Sequence, residues 1–153
     1  MKLRGWMVTL SMMCLSIPVA VAQSGMPAPT NDVRLGNIMN SVQLWHLKLW
    51  AAVKALNWEL AAYELRQLTA GVVEAAVLYP GIPVTNVTTM AHPLQAIADA
   101  IEAKDSRRFA KSFGELTDGC NACHQSMGRG YIVMRVPTEQ PFSNQRFSPQ
   151  AKP

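Results

Sequence analysis

Residues 32–56 read DVRLGNIMNSVQLWHLKLWAAVKAL, a stretch in which apolar side chains return every three or four positions. This spacing is typical of an amphipathic α-helix that turns one face to a core. Asn31 or Asp32 would cap its N-terminus, because either side chain can accept a hydrogen bond from the first turn. The stretch therefore predicts a long first helix. Its apolar positions are Leu35, Ile38, Met39, Val42, Trp45, Leu49, Val53 and Leu56.

A corner is predicted directly after this helix, at Leu56-Asn57-Trp58. Asn57 is a good N-cap residue, and Glu59 would lie in the first turn of a following helix, where the helix dipole favours an acidic side chain. One unbroken helix over 32–79 would be several times the usual length. A second helix is therefore expected from Trp58 to Tyr79. Its inward-facing side chains are predicted to be Leu60, Tyr63, Leu68, Val72 and Ala75.

Two more helices are predicted before the pattern changes. The proline- and glycine-rich segment 80–83 ends the second helix and forms the longest loop. A third, shorter helix is expected over about 88–104, with Pro93 in its first turn. A fourth helix would begin after a capping side chain at 105 or 106 and end at a glycine in 128–130.

Four amphipathic helices with mostly short connections predict an all-α protein, an antiparallel four-helix bundle. Residues 23–131 would form this single domain, which is long enough to bury a substantial core. Residues 132–153 contain four prolines and no helical period, and they are predicted to form an extended or mobile C-terminal tail. In such a bundle the end of the fourth helix lies level with the first half of the first helix.

The first 22 residues predict a cleaved signal peptide. Lys2 and Arg4 form a short basic region, an apolar run follows, and Ala20-Val21-Ala22 is the small-x-small pattern that signal peptidase accepts. The apolar run is short for a membrane-spanning helix, and Pro18 interrupts it. We therefore expect cleavage before Gln23 and export to the periplasm, with no stable membrane span afterwards.

The charge of the chain argues against a nucleic-acid partner. The sequence holds 14 Lys and Arg against 10 Asp and Glu, a net charge of +4. Loss of Lys2 and Arg4 with the signal peptide lowers the net charge to +2, which is too little for a nucleic-acid-binding surface. The chain also has no Ser/His/Asp order, no paired carboxylates and no phosphate loop, so an enzyme is not expected.

Residues 120–124 read CNACH and hold the two cysteines that remain once Cys14 leaves with the signal peptide. C-x-x-C-H is the attachment signature of c-type haem. The thiols of Cys120 and Cys123 would each add to a haem vinyl group as a thioether, and His124 would bind the iron. The motif predicts one covalent haem c near the end of the last helix.

Three other interpretations of the two cysteines were weighed. A zinc site needs four ligands, and only His46 and His92 remain to join the motif. A disulfide between Cys120 and Cys123 would close too small a loop to stabilise much. A thioredoxin-like redox pair begins a helix after a strand, whereas this pair lies near a helix end with no βαβ pattern around it. Haem attachment is the interpretation that the exported, helical context favours.

A C-x-x-C-H motif on the last helix of a four-helix bundle resembles the class II cytochromes c, the cytochrome c-prime group. The segments NWELAAYEL (57–65), CNACHQ (120–125) and RVPTEQPFSNQ (135–145) look like those of small exported proteobacterial monohaem proteins. The resemblance implies a sixth iron position that faces the first helix. The tail departs from the c-prime pattern, which ends soon after the motif. Bundles of this type often associate through their first two helices, so a homodimer is a further expectation.

The residue opposite His124 would decide what such a haem does. Met39 and His46 lie seven residues apart, close to the inward seam of the first helix. His46 is the favoured candidate for sixth ligand, since the resembling families supply this residue from more than three turns into the helix. The alternative for His46 is a hydrogen bond to a haem propionate or a backbone carbonyl. Met39 is the second candidate, and its alternative is core packing.

These residues lead to two functional expectations. A strong sixth ligand gives a low-spin electron carrier, whereas an open sixth position binds small gases. The leading hypothesis is a periplasmic c-type monohaem cytochrome that transfers one electron between redox partner proteins. The alternative is a cytochrome c-prime-like haem protein that binds nitric oxide or carbon monoxide as a sensor or scavenger.

Overall fold

The computed structural model describes residues 31–151, and the predicted signal peptide lies outside them. This part of the chain contains four α-helices and no β-strand, so the predicted all-helical four-helix architecture is confirmed. The helices are α1 (Asn31–Lys54), α2 (Trp58–Leu78), α3 (Val84–Glu102) and α4 (Ser106–Ser126).

The corner between α1 and α2 lies where the sequence predicts it. The side chain of Asn57 accepts a hydrogen bond of 3.1 Å from the backbone N–H of Leu60 and so caps α2. Leu56 has a left-handed backbone with φ of 57° and is 60% exposed. Its expected place on the inward face of the first helix is therefore wrong, because the chain has already left that helix after Lys54.

Helix α3 begins four residues earlier than expected, at Val84 rather than near Thr88. Pro83 precedes it with φ of −59°, an angle that already suits a helix start. Pro93 consequently lies inside α3, where it is buried, and not in the first turn as predicted. A proline inside a helix lacks the N–H that would bond to the carbonyl four residues before it.

The N-terminus of helix α4 is capped by Asp105, which accepts two backbone hydrogen bonds. Asp105 Oδ1 accepts hydrogen bonds from the N–H groups of Arg107 (3.0 Å) and Arg108 (2.9 Å). The helix ends before Gly128, whose φ of +69° is a left-handed conformation that glycine adopts without strain. Both boundaries agree with those predicted from the capping residues.

The core lies between all four helices. Its completely buried large side chains are Leu49, Leu68, Glu64, Ile97, Phe109, Phe113 and Leu116. Tyr63 is 48% exposed, so its predicted inward orientation is wrong. Leu65 is buried, and the centre of the Trp50 ring lies 5.0 Å from that of Phe113, so both side chains pack inside this chain.

Contacts between the helices fix their register. His46 on α1 meets Thr117 on α4, and Gly71 on α2 packs against Trp45 on α1. Asn86 near the start of α3 meets Ser126 at the end of α4. Helices α1 and α2 form one close pair and α3 and α4 another, whereas α1 and α4 touch along a short stretch only. The bundle therefore opens between α1 and α4.

The tail packs along the bundle without regular structure. Residues 127–151 contain no helix or strand. Phe147 is buried, and its carbonyl accepts a hydrogen bond of 3.0 Å from Asn57 Nδ2. The Phe142 ring lies 5.6 Å from that of Phe147 and 5.5 Å from Lys48 Nζ. Among the helices described, none has the length and apolar character needed to cross a membrane.

Candidate functional site

The CNACH motif occupies the last turns of α4 and faces a cavity. Cys120, Cys123 and His124 all line this cavity, which has a volume of about 220 Å³. Both thiols are free and half-buried. Cysteines three apart on a helix project from neighbouring positions of one face, and this is why both reach the same cavity. The three residues singled out in the sequence are therefore together at one wall.

The other walls come from α1, α2, α3 and the tail, and most of their side chains are apolar. Leu35 and Val42 on α1 are buried at the cavity, and Met90 on α3 closes it from the other side. Polar side chains at the cavity are few. The walls outside the motif are formed by Leu35, Gly36, Met39, Asn40, Val42, Gln43, Val72, Ala75, Ile82, Asn86, Val87, Met90, Met127, Arg129, Ile132 and Met134.

The ring of His124 is oriented by the tail. Its Nδ1 lies 2.8 Å from the backbone carbonyl oxygen of Ile132. A carbonyl can only accept, so Nδ1 carries a proton, and in the neutral ring Nε2 then keeps its lone pair. Histidines that bind metals are commonly held by this kind of bond, which fixes both the tautomer and the ring plane. The bond to Ile132 therefore fixes the orientation of the His124 ring at the cavity.

Asn121, inside the motif, binds the tail a second time. Its Nδ2 donates to the carbonyl of Met134 at 3.0 Å, and its Oδ1 accepts from the N–H of Met134 at 2.7 Å. Met134 is on the cavity wall as a result. The segment from Ile132 to Met134 is therefore attached to α4 at both ends, although the sequence offers no pattern that reveals this.

Asn86 contacts the motif from α3. Its Nδ2 donates to Ser126 Oγ at 2.7 Å and lies 3.6 Å from Cys123 Sγ. Burial raises the pKa of Cys123, while the hydrogen bond from Asn86 to Cys123 Sγ opposes the rise. Burial also raises the pKa of Cys120 from 9.0 to about 11, and the neighbouring Cys123 adds to it. Such thiols stay protonated near neutral pH.

His46 does not line the CNACH cavity and instead contacts Thr117 and Phe113. Its side chain is 2% exposed and its Nε2 is 3.0 Å from Thr117 Oγ1, while the ring packs 4.3 Å from that of Phe113. The Thr117 hydroxyl donates to the Phe113 carbonyl at 2.8 Å, so Nε2 of His46 is the donor to Thr117. Burial lowers the pKa of His46 from 6.5 to about 4. The structure therefore places a neutral His46 in the core and not on the walls of the CNACH cavity. His46 lines a second cavity beside the tail, and this second cavity shares Gln43 and Met134 with the first.

Met39 does line that cavity. Three further methionines share it: Met90 on α3, Met127 at the end of α4 and Met134 in the tail. Met90 and Asn86 were missed by sequence reasoning, because contact between α3 and α4 depends on their register. His92 is exposed and lies on none of the cavity walls described.

Two further findings bear on the nature of the site. Within residues 31–151, no three His, Cys, Asp or Glu side chains are grouped so that they could hold a metal ion on their own. Comparison with protein-family models, curated proteins and solved structures gives no match.

Proposed function

We propose that this chain is a periplasmic c-type monohaem cytochrome that acts in one-electron transfer. The observation that carries the proposal is the convergence of Cys120, Cys123 and His124 on one apolar cavity, with Nδ1 of His124 already bonded to a carbonyl. Two thiols and an imidazole with a free Nε2 are the donor set that covalent haem attachment requires. The residues present fit a haem c.

Each residue of the site would have a defined task. The sulfurs of Cys120 and Cys123 would form thioethers to the two vinyl groups, and Nε2 of His124 would bind the iron. When bound, haem supplies a one-electron iron couple. The buried side chains of Leu35, Val42 and Met90 would keep water from the iron, and a dry surrounding of this kind tunes the reduction potential.

The register of α1 against α4 favours Met39 over His46 as the sixth ligand. His46 meets Thr117, so in an antiparallel pair a residue seven earlier on α1 lies level with one seven later on α4. That pairing brings Met39 level with His124, about 10 Å along the bundle from His46. Ligation by His46 would also require loss of its bond to Thr117. We therefore infer a His124–Met39 ligand pair.

A second function, binding of nitric oxide or carbon monoxide, is supported by the same wall. The α1 side chains around Met39 at the cavity are Leu35, Gly36, Asn40, Val42 and Gln43, none of which is a strong iron ligand. A thioether is a weak ligand, which a diatomic gas can displace. Gas binding then depends on how firmly Met39 is held.

The periplasmic location rests on the predicted signal peptide at 1–22. The proposed partners are redox proteins of that compartment, and a homodimer remains an expectation. A peptidase-cleaved, exported chain would meet the haem attachment machinery that works outside the cytoplasm.

Expression with that machinery tests the proposal. We expect the purified protein to gain the mass of one haem, to retain it after denaturation, and to give a low-spin spectrum in both oxidation states. A colourless protein of bare polypeptide mass would refute haem binding.

Two matched variants identify the ligand. Met39→Leu should give a high-spin spectrum and bind carbon monoxide faster, whereas His46→Gln should keep the low-spin spectrum. The reverse result would assign the sixth position to His46. A high-spin wild-type protein in both oxidation states would favour gas binding over electron transfer.

A further inference from the structure

Asn121 joins the tail to α4 through two hydrogen bonds. Both functions of its amide are used on one residue: the carbonyl of Met134 accepts from Nδ2, and the N–H of Met134 donates to Oδ1. A side-chain amide that pairs in this way imitates a backbone partner and fixes both the position and the direction of the bonded segment. Asn121 itself is held by α4, directly after Cys120.

The segment that Asn121 holds has little side-chain packing of its own. Tyr131 is 81% exposed, Ile132 41% and Val133 74%, so these side chains bury little apolar surface. Exposed segments with few buried contacts open easily unless hydrogen bonds hold them. The Ile132 carbonyl that bonds to His124 Nδ1 lies in this segment, two residues before Met134. Ile132 is held on its α4 side by its own N–H, which donates to the Arg129 carbonyl at 2.9 Å, and on its other side by the Asn121 pair.

We propose that Asn121 is a positioning residue for His124: by pinning the backbone of Met134, it keeps the Ile132 carbonyl at Nδ1 of the axial histidine. The inference rests on the proposed haem site for its functional consequence, but every contact in it belongs to this chain. It also gives the tail a role in the site, because residues beyond α4 complete the surroundings of the ligand.

The consequence for the iron follows from the bond to Nδ1. A histidine that donates Nδ1–H to a carbonyl becomes a more basic ligand, which stabilises ferric iron and lowers the reduction potential. Loss of the Asn121 pair would loosen the Ile132 carbonyl, weaken this bond and raise the potential. The direction of the change distinguishes positioning from simple damage to the fold.

The test compares Asn121→Ala with the control Asn144→Ala, which changes an exposed asparagine of the tail that Asn121 contacts. Alanine is the best helix former, so α4 should persist in the first variant. Trypsin cleavage after the exposed Arg135, measured on haem-free and haem-loaded protein, reports tail opening. Two further measurements report on the bond between His124 Nδ1 and the Ile132 carbonyl. One is the exchange rate of the Nδ1 proton, followed by NMR in the haem-free and the haem-loaded protein. The other is the midpoint potential of the haem-loaded protein.

For Asn121→Ala we expect cleavage after Arg135 to accelerate roughly 30-fold. This is the increase in the open population of the tail when two net hydrogen bonds are lost, and cleavage follows that population when opening is fast. The Nδ1 proton should exchange faster and the potential should rise, while Asn144→Ala matches the wild type in all three. Faster cleavage with unchanged proton exchange and unchanged potential would overturn the proposal, since Asn121 would then hold the tail without positioning His124. Unchanged cleavage would overturn it too.

Failure of the haem proposal has a separate signature. If the wild-type chain takes up no haem, the proposed function is refuted, and the cleavage and Nδ1 exchange rates of the haem-free protein still decide whether Asn121 positions His124. Unchanged exchange in that form would overturn the positioning role as well.

Discussion

His46 should make the stability of this protein depend on pH below neutrality. The ring is buried against Phe113, its Nε2–H donates to Thr117, and burial lowers its pKa from 6.5 to about 4. Between these two values the unfolded chain binds a proton that the folded chain does not. Stability is therefore fully present above pH 6.5 and is lost as the pH falls towards 4.

The size of the loss follows from the two pKa values. Relative to pH 7, an isolated histidine with pKa values of 6.5 unfolded and about 4 folded loses about 2 kcal/mol by pH 5 and about 3 kcal/mol by pH 4. Glu64 works in the opposite direction: burial raises its pKa, with Lys48 opposing, so its contribution is present at low pH and declines as the pH rises. The dependence of wild-type stability on pH would therefore combine the effects of His46 and Glu64.

Urea unfolding of the wild type and of His46→Gln at several pH values between 4 and 7 separates them. Glutamine can still donate to Thr117 but does not titrate, so the difference between the two proteins isolates His46. We expect the wild type to lose about 3 kcal/mol more than the variant between pH 7 and pH 4. Parallel profiles would refute the buried neutral histidine, and with it the contact that sets the register of α1 on α4.

Two further predictions concern packing and capping. A Cβ at Gly71 would lie 2.7 Å from the ring of Trp45, so Gly71→Ala should destabilise by roughly 1–3 kcal/mol, whereas Gly114→Ala, which has open space, should stabilise by up to about 1 kcal/mol. Urea unfolding of both variants checks this, and equal effects would contradict it. Asn57→Ala removes the cap of α2 and the bond to the Phe147 carbonyl, so we expect a loss of about 2 kcal/mol and faster proteolysis of the tail; an unchanged tail would show that Phe147 is held by packing alone.

The helices could be predicted because their signals are local. Asn57 and Asp105 accept hydrogen bonds from the first turn that follows each of them, so the cap can be identified within four residues of sequence. The start of α3 was misplaced because Pro83 and Pro93 are both acceptable near a helix start, and the choice depends on what the helix packs against. Pro93 is buried inside α3, a position that tertiary packing permits although the local preference opposes it.

The candidate site could be predicted only where it is continuous in sequence. Cys120, Cys123 and His124 lie within five residues, and their convergence follows from one helix. The contact of Asn121 with Met134 joins residues 13 apart through a tail without periodicity, so no pattern indicates it. Asn86, which meets Cys123 from α3, depends on helix pairing in the same way.

The choice between Met39 and His46 depends on the register of α1 against α4, which the sequence does not contain. Both lie near the inward seam of α1, and periodicity alone treats them as equivalent. Because His46 is bonded to Thr117, antiparallel packing brings Met39, and not His46, to the level of His124, and Met39 and His124 line the same cavity. His46, Thr117 and Phe113 meet at one level of the α1–α4 pair, and the CNACH cavity lies at the other. A register shift of one α-helical turn moves a residue by about 5 Å and would not carry His46 to the level of His124. In the proposed haem site, Met39 is therefore the α1 residue that would meet the iron.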